Sequence, residues 1–150
     1  MSRVQLALNV SDLDSAVEFY SKLFNTRPAK LRPGYANFAV ADPPLKLVLI
    51  EGETGGSLNH LGVEVETTDL VQSAQRRLVA EGLATATEDG VACCYAVQDK
   101  VWVDDPDGAP WEIYTVLADG EMPAGPLRVT NPQDATCCSS APESAARCCD

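Results

Sequence analysis

The sequence predicts an α+β fold: two βαβββ modules forming one curved mixed sheet, followed by a disordered C-terminal tail. Three observations carry this prediction. Strand-like alternation and helical periodicity succeed one another in the same order twice. Similar residues recur at matching places in the two copies. After Leu117 the composition shifts to Pro, Ala, Ser, Thr and Asp, and periodicity ends. One βαβββ unit leaves a sheet face uncovered, so a second copy is needed to bury it. A length of 150 residues suits one such domain.

The first module opens with Val4, Leu6, Leu8 and Val10 alternating with Gln5, Ala7 and Asn9, the pattern of a strand. Ser11 followed by Asp14 reads as a helix start. Leu13, Ala16, Val17, Tyr20, Leu23 and Phe24 recur at helical spacing and predict an amphipathic helix to about Phe24 or Asn25. Residues 25–33 read as a loop. Strands are predicted over 35–40 and 45–50. Between them Ala41-Asp42-Pro43-Pro44 forms a turn that its prolines keep out of the ladder. Residues 51–56 are a Gly-containing linker.

The second module begins with a strand over 59–66. Leu61, Val63 and Val65 alternate with His60, Gly62, Glu64 and Glu66, and His60 is the only histidine in the chain. Thr67 or Thr68 caps a second helix, whose apolar side carries Leu70 or Val71, Ala74 and Leu78, and Gly82 suits its C-terminal cap. Strands follow over 84–87, 95–103 and 111–117, with a turn at Asp105-Pro106-Asp107-Gly108.

The copies align. Gln5-Leu6-Ala7-Leu8-Asn9-Val10 lies over His60-Leu61-Gly62-Val63-Glu64-Val65, and Asp12-Leu13 over Asp69-Leu70. Pro44-Leu45-Lys46-Leu47 lies over Pro110-Trp111-Glu112-Ile113. The domain therefore spans 2–117, with modules of about 2–51 and 57–117, and 118–150 is the tail.

A net charge of -11 speaks against nucleic-acid binding and against docking on an anionic membrane. No apolar run is long enough to span a bilayer. The N-terminus enters a strand pattern without a signal-peptide layout, so a cytoplasmic location is expected. The six cysteines form three adjacent pairs, Cys93-Cys94, Cys137-Cys138 and Cys148-Cys149. In a reducing compartment these stay as thiols. Neighbouring cysteines also bridge each other poorly. Paired thiols suit a soft metal or metalloid.

The repeat has a chemical consequence. If the modules pair about a pseudo-twofold axis, Gln5, His60 and Glu112 converge inside the curved sheet. One imidazole, one carboxylate and one amide oxygen bind a divalent first-row metal on one side and leave positions open. Fe(II), Mn(II), Ni(II), Co(II) and Zn(II) all fit such a donor set.

The duplicated βαβββ pattern with Asp105-Pro106-Asp107-Gly108 and Glu112 resembles the vicinal oxygen chelate superfamily over residues 2–117. That superfamily includes glyoxalase I, extradiol dioxygenases and antibiotic-resistance proteins. Four blocks, 32–38, 44–51, 59–63 and 92–102, resemble the cadmium-induced proteins and their relatives, the organoarsenical carbon–arsenic lyases. The resemblance implies a non-haem Fe(II) enzyme that uses dioxygen to demethylate or dearylate trivalent organoarsenicals and release arsenite. It implies iron ligation by Gln5, His60 and Glu112, with Cys93 and Cys94 as the catalytic, substrate-binding thiols.

Trivalent arsenic is thiophilic, which agrees with that assignment. Successive strand residues point to opposite faces, so chelation by Cys93 and Cys94 needs a turn or an irregular strand start there. Asp89-Gly90 just upstream suits one. Lys100 and Trp102 read as a solvated strand charge and a core aromatic. Cys137, Cys138, Cys148 and Cys149 read as accessory thiols that capture arsenical or cadmium. The expected partner is a small organoarsenical or soft metal, and monomer and homodimer both remain open. Two other functions compete: thiol sequestration of Cd(II) or As(III), and metal-free drug binding on the same fold. Glyoxalase I chemistry is less favoured, because its fourth ligand would fall at Lys46.

Overall fold

The computed structural model describes residues 2–93 and 95–120. The chain runs β1 (Arg3–Val10), α1 (Leu13–Leu23), β2 (Lys30–Arg32), β3 (Tyr35–Val40), β4 (Leu45–Glu51), β5 (Ser57–Glu64), α2 (Thr68–Ala80), β6 (Ala86–Cys93), β7 (Ala96–Asp104) and β8 (Pro110–Asp119). That is βαβββ twice. The eight strands form one sheet in the order β2-β3-β4-β1-β5-β8-β7-β6. The two halves meet where β1 pairs antiparallel with β5. On either side of this seam, β1 pairs parallel with β4 and β5 parallel with β8.

Strand alternation sends each residue to one of two faces. In the first module Phe38, Leu47 and Leu49 pack with Leu13, Val17 and Tyr20 of α1. In the second module α2 lies on β7 and β8 and buries Val71 and Leu78. The other face of the sheet gathers Ala7, Tyr35, Val48, Ile50, Val91, Cys93 and Trp102 into an inner cluster drawn from both modules. No helix among the described residues is long and apolar enough to cross a membrane.

Four local features differ from the expectation. The first helix is capped by Asp12, whose carboxylate accepts from the Ser15 amide at 2.8 Å, and not by Ser11. A short edge strand, β2, lies inside the expected loop. The strand expected over 84–87 is longer: β6 continues to Cys93 through a register shift between Glu88 and Val91, where Gly90 has φ +63°. Asp89-Gly90 is thus a bulge within a strand rather than a turn between strands. Finally, β8 continues past Leu117. Ala118 and Asp119 pair with Val97 and Ala96, and Lys30 Nζ holds Asp119 Oδ1 at 2.6 Å, so these two residues belong to the sheet and not to the tail. The expectation of disorder over 121–150 lies outside the described residues. Thr67 caps α2 as expected, and Gly82 follows its end at φ +84°.

Candidate metal centre

Gln5, Gly62 and Glu112 lie side by side across β1, β5 and β8. His60 stands two residues along β5, opposite Ala7. Gly62 suits this crowding. A Cβ there would stand 3.1 Å from Glu112 Cγ and 3.3 Å from Gln5 Nε2. With no side chain between them, the two flanking side chains lean together over the glycine.

The result is a buried triangle. Gln5 Nε2 is 2.7 Å from Glu112 Oε1 and 3.1 Å from His60 Nε2, and His60 Nε2 is 3.3 Å from Glu112 Oε1. Metal–ligand bonds of about 2.1 Å in octahedral geometry put neighbouring donors about 3.0 Å apart. The triangle therefore has the dimensions of one octahedral face.

Each corner has its own support. Burial would raise the Glu112 pKa, but the Lys100 ammonium, with His60 beside it, holds the carboxyl at about 2. Lys100 Nζ donates to Glu112 Oε2 at 2.9 Å, which leaves Oε1 to the triangle. His60 Nδ1 is 2.7 Å from Asn59 Oδ1. Asn59 Nδ2 donates to Asn9 Oδ1 at 2.9 Å, so the Asn59 oxygen faces the ring. For metal binding the ring would carry its proton on Nδ1, facing the Asn59 oxygen, and offer the Nε2 lone pair. Trp102 stands edge-on to His60 with centroids 5.5 Å apart.

At the third corner, Gln5 Oε1 accepts from the Tyr114 hydroxyl at 2.5 Å, so the amide presents its nitrogen to the triangle. Ligation needs the oxygen there. A turned amide is still satisfied: Nε2 would donate to the Tyr114 oxygen, and the hydroxyl would donate to Glu64 Oε2, 3.3 Å away. Burial and the Glu112 and Glu64 charges push the Tyr114 pKa up, so the hydroxyl keeps its proton in either arrangement. The residues fit a divalent ion. Among the described residues no three His, Cys, Asp or Glu side chains cluster, because the third donor of this triangle is an amide.

The strand registers also correct the repeat alignment at one place. The twofold that exchanges Gln5 with His60 exchanges Ala7 with Gly62. Val48 is opposite Ala7, and Glu112 is opposite Gly62. Glu112 thus corresponds to Val48, and Lys46 to Pro110. The position that would supply a fourth protein ligand is apolar and buried. Lys46 instead lies 3.7 Å from Glu64 and over the Tyr114 ring.

Residues 3–113 match the family described as Glyoxalase/Bleomycin resistance protein/Dioxygenase superfamily. The chain belongs to this superfamily. Among relatives, the cadmium-induced protein CadI of Mycobacterium tuberculosis is 64% identical over 122 residues, covering 81% of this chain and 80% of its own. A trivalent organoarsenical cleaving enzyme of Thermomonospora curvata is 58% identical over 141 residues, covering 93% and 89%. The Mn(II)-bound glyoxalase of Novosphingobium aromaticivorans shares the fold with a TM-score of 0.58 at 19% identity, over 80% of this chain and 42% of its own. An extradiol ring-cleaving dioxygenase from B. fuscum does so with a TM-score of 0.57 at 21% identity, over 79% and 34%.

In this member of the glyoxalase/dioxygenase superfamily, the three expected ligands come together. Cys93 ends β6 on the inner face and is 1% exposed, packed in the same cluster as Trp102. Cys94, Cys137, Cys138, Cys148 and Cys149 lie outside the described residues. Lys100 departs from its expected role as a solvated charge: it is 2% exposed and bonded to Glu112. Trp102 is the core aromatic expected. Sequence reading misses Asn59, Gly62, Lys100 and Tyr114 as supports. The available signal is positional, since each sits next to a ligand in sequence or two residues from one on the same or a neighbouring strand.

Proposed function

We propose that the protein is an Fe(II)- and dioxygen-dependent carbon–arsenic lyase that converts trivalent organoarsenicals, methylarsenite and aromatic arsenicals, to arsenite. The observation that carries this reading is the buried triangle of Gln5, His60 and Glu112 side chains, with the Gln5 amide, His60 Nε2 and Glu112 Oε1 2.7 to 3.3 Å apart, on the same sheet face as Cys93. The 58% identity to a protein named a trivalent organoarsenical cleaving enzyme supports the substrate class. Gln5, His60 and Glu112 would hold Fe(II), and the same donors would accept Mn(II), Ni(II), Co(II) or Zn(II). A ferrous ion held on one side supplies open positions and electrons for dioxygen chemistry. Cys93 and Cys94 would hold the soft arsenic as thiolates while its organic substituent stays attached. Lys100 keeps Glu112 charged. Trp102, Val48 and Ile50 are buried apolar side chains of the inner face. Monomeric and homodimeric forms are equally compatible with this chemistry.

The test is incubation of Fe(II)-loaded protein with methylarsenite, with arsenite as the readout. Release in air but not under anaerobic conditions is expected. Equal anaerobic release would remove dioxygen from the reaction, and no release in air would remove the lyase. The likeness to a cadmium-induced protein favours thiol sequestration of Cd(II) or As(III) as the second reading. A chain cut after Gly120 spares β8. Loss of arsenical resistance on that cut, but not in the Cys93→Ser, Cys94→Ser double variant, would support sequestration.

A further inference from the structure

The registers that set Gln5, Gly62 and Glu112 in one row across β1, β5 and β8 set Arg3, Glu64 and Tyr114 in the next row, two residues along each strand. Positions two apart share a face, so this second row stands beside the triangle. Its contacts run from the buried metal corner outward. Tyr114 is 0% exposed and donates its hydroxyl to Gln5 Oε1 at 2.5 Å. Glu64 Oε2 lies 3.3 Å from the same hydroxyl. That oxygen accepts from Arg3 Nε at 2.9 Å and lies 3.7 Å from Lys46 Nζ. One hydroxyl proton therefore has two acceptors in reach, Gln5 and Glu64, and serves one at a time.

The choice decides which atom Gln5 presents. With the hydroxyl donating to Gln5 Oε1, Nε2 is turned to Glu112 Oε1 at 2.7 Å. An amide nitrogen offers a cation no lone pair, so this arrangement closes the corner to metal. Turning the amide brings Oε1 into the triangle and Nε2 to the Tyr114 oxygen. That oxygen accepts from Nε2 only when its own proton points elsewhere, and Glu64 Oε2 is the acceptor at hand. We propose that Tyr114 and Glu64 form a two-position latch on Gln5: the hydroxyl donated to Gln5 keeps the amide nitrogen in the triangle, and the hydroxyl donated to Glu64 lets the amide oxygen enter and ligate. The proposal rests on the reading of the triangle as a metal centre. No proton changes owner, because the hydroxyl and the amide each rotate about a single bond. Glu64 is thus a positioning residue that acts through Tyr114. It supports the ligating arrangement alone, since in the other the hydroxyl is already satisfied by Gln5. Removing it strands a buried O–H in one arrangement only and moves the balance away from metal.

The test is calorimetric titration of the full chain with Mn(II), with circular dichroism to show that each variant is folded. Glu64→Met and Glu64→Leu both remove the acceptor, and each is expected to weaken Mn(II) binding roughly tenfold or more. Glu64→Gln removes the charge but keeps an oxygen for Arg3 and Tyr114, and its affinity stays within about threefold of the parent. In a Tyr114→Phe chain there is no hydroxyl to place, so adding Glu64→Met changes affinity by less than about threefold. Parent-like affinity in Glu64→Met and Glu64→Leu overturns the latch. So does a loss that Glu64→Gln reproduces, or one that persists in the Tyr114→Phe chain, because either would make Glu64 a remote charge. A parent chain that binds no Mn(II) refutes the metal centre and the latch with it. Binding that follows the expected pattern, with no arsenite from the iron-loaded protein in air, refutes the lyase and leaves the latch standing.

Discussion

Lys100 and Glu112 form a buried ion pair, with Lys100 Nζ 2.9 Å from Glu112 Oε2 while Oε1 faces Gln5 and His60. The carboxylate is divided between a permanent cation of the protein and a place for a second one. Removing Lys100 leaves a buried charge without its partner. Lys100→Met should therefore destabilise the protein by about 3–5 kcal/mol, as measured by urea denaturation at neutral pH. Adding Glu112→Gln should recover part of that loss, because the stranded charge goes with it.

The same pair sets a pH dependence. The folded Glu112 pKa of about 2 lies below its ordinary 4.5. Its contribution is present in full above the unfolded value and is lost as pH falls through 4.5 toward 2. The unfolding free energy should fall across this window, by a few kcal/mol in all, and less steeply in Glu112→Gln. Equal slopes in the two chains would contradict the assignment.

Gly62 offers a steric test. A methyl group there meets Glu112 Cγ at 3.1 Å and Gln5 Nε2 at 3.3 Å. Gly62→Ala should push the two donors apart and cost about 1–3 kcal/mol of Mn(II) binding by calorimetry, while circular dichroism stays that of the parent. Unchanged affinity would mean that the flanking side chains are not the ligands.

Asn59 is a positioning residue for His60. Asn59→Leu should weaken Mn(II) binding about 10–100-fold and loosen the tautomer, seen as a change in imidazole nitrogen NMR shifts. Asn59→Asp keeps the acceptor and should restore the shifts. If Leu and Asp variants bind metal equally, Asn59 does not act through the ring.

The sequence makes the strongly periodic parts legible. β1, β4 and β5 show their alternation, and α1 and α2 show their apolar stripes. β2 does not, because two of its three residues are charged and it pairs along one edge only. β6 is hidden past Thr87 because Asp89-Gly90 has turn chemistry but serves as a bulge. Gln5, His60 and Glu112 are readable because duplication puts two of them at equivalent places. Lys100 is not, since a lysine on a strand reads as solvated until its partner is placed on the adjacent strand. The Lys46 alignment misses by two residues for a related reason: both choices keep the same face, and only strand pairing separates them.

The seam between β1 and β5 has a further consequence. One corner of the triangle comes from the first module and two from the second, and the brace on His60 runs back through Asn59 to Asn9 in the first. Neither module can assemble the donor set by itself. Metal affinity is therefore a gauge of whether the two halves are docked, and a lesion far from the ligands that loosens their union will present as a cofactor defect.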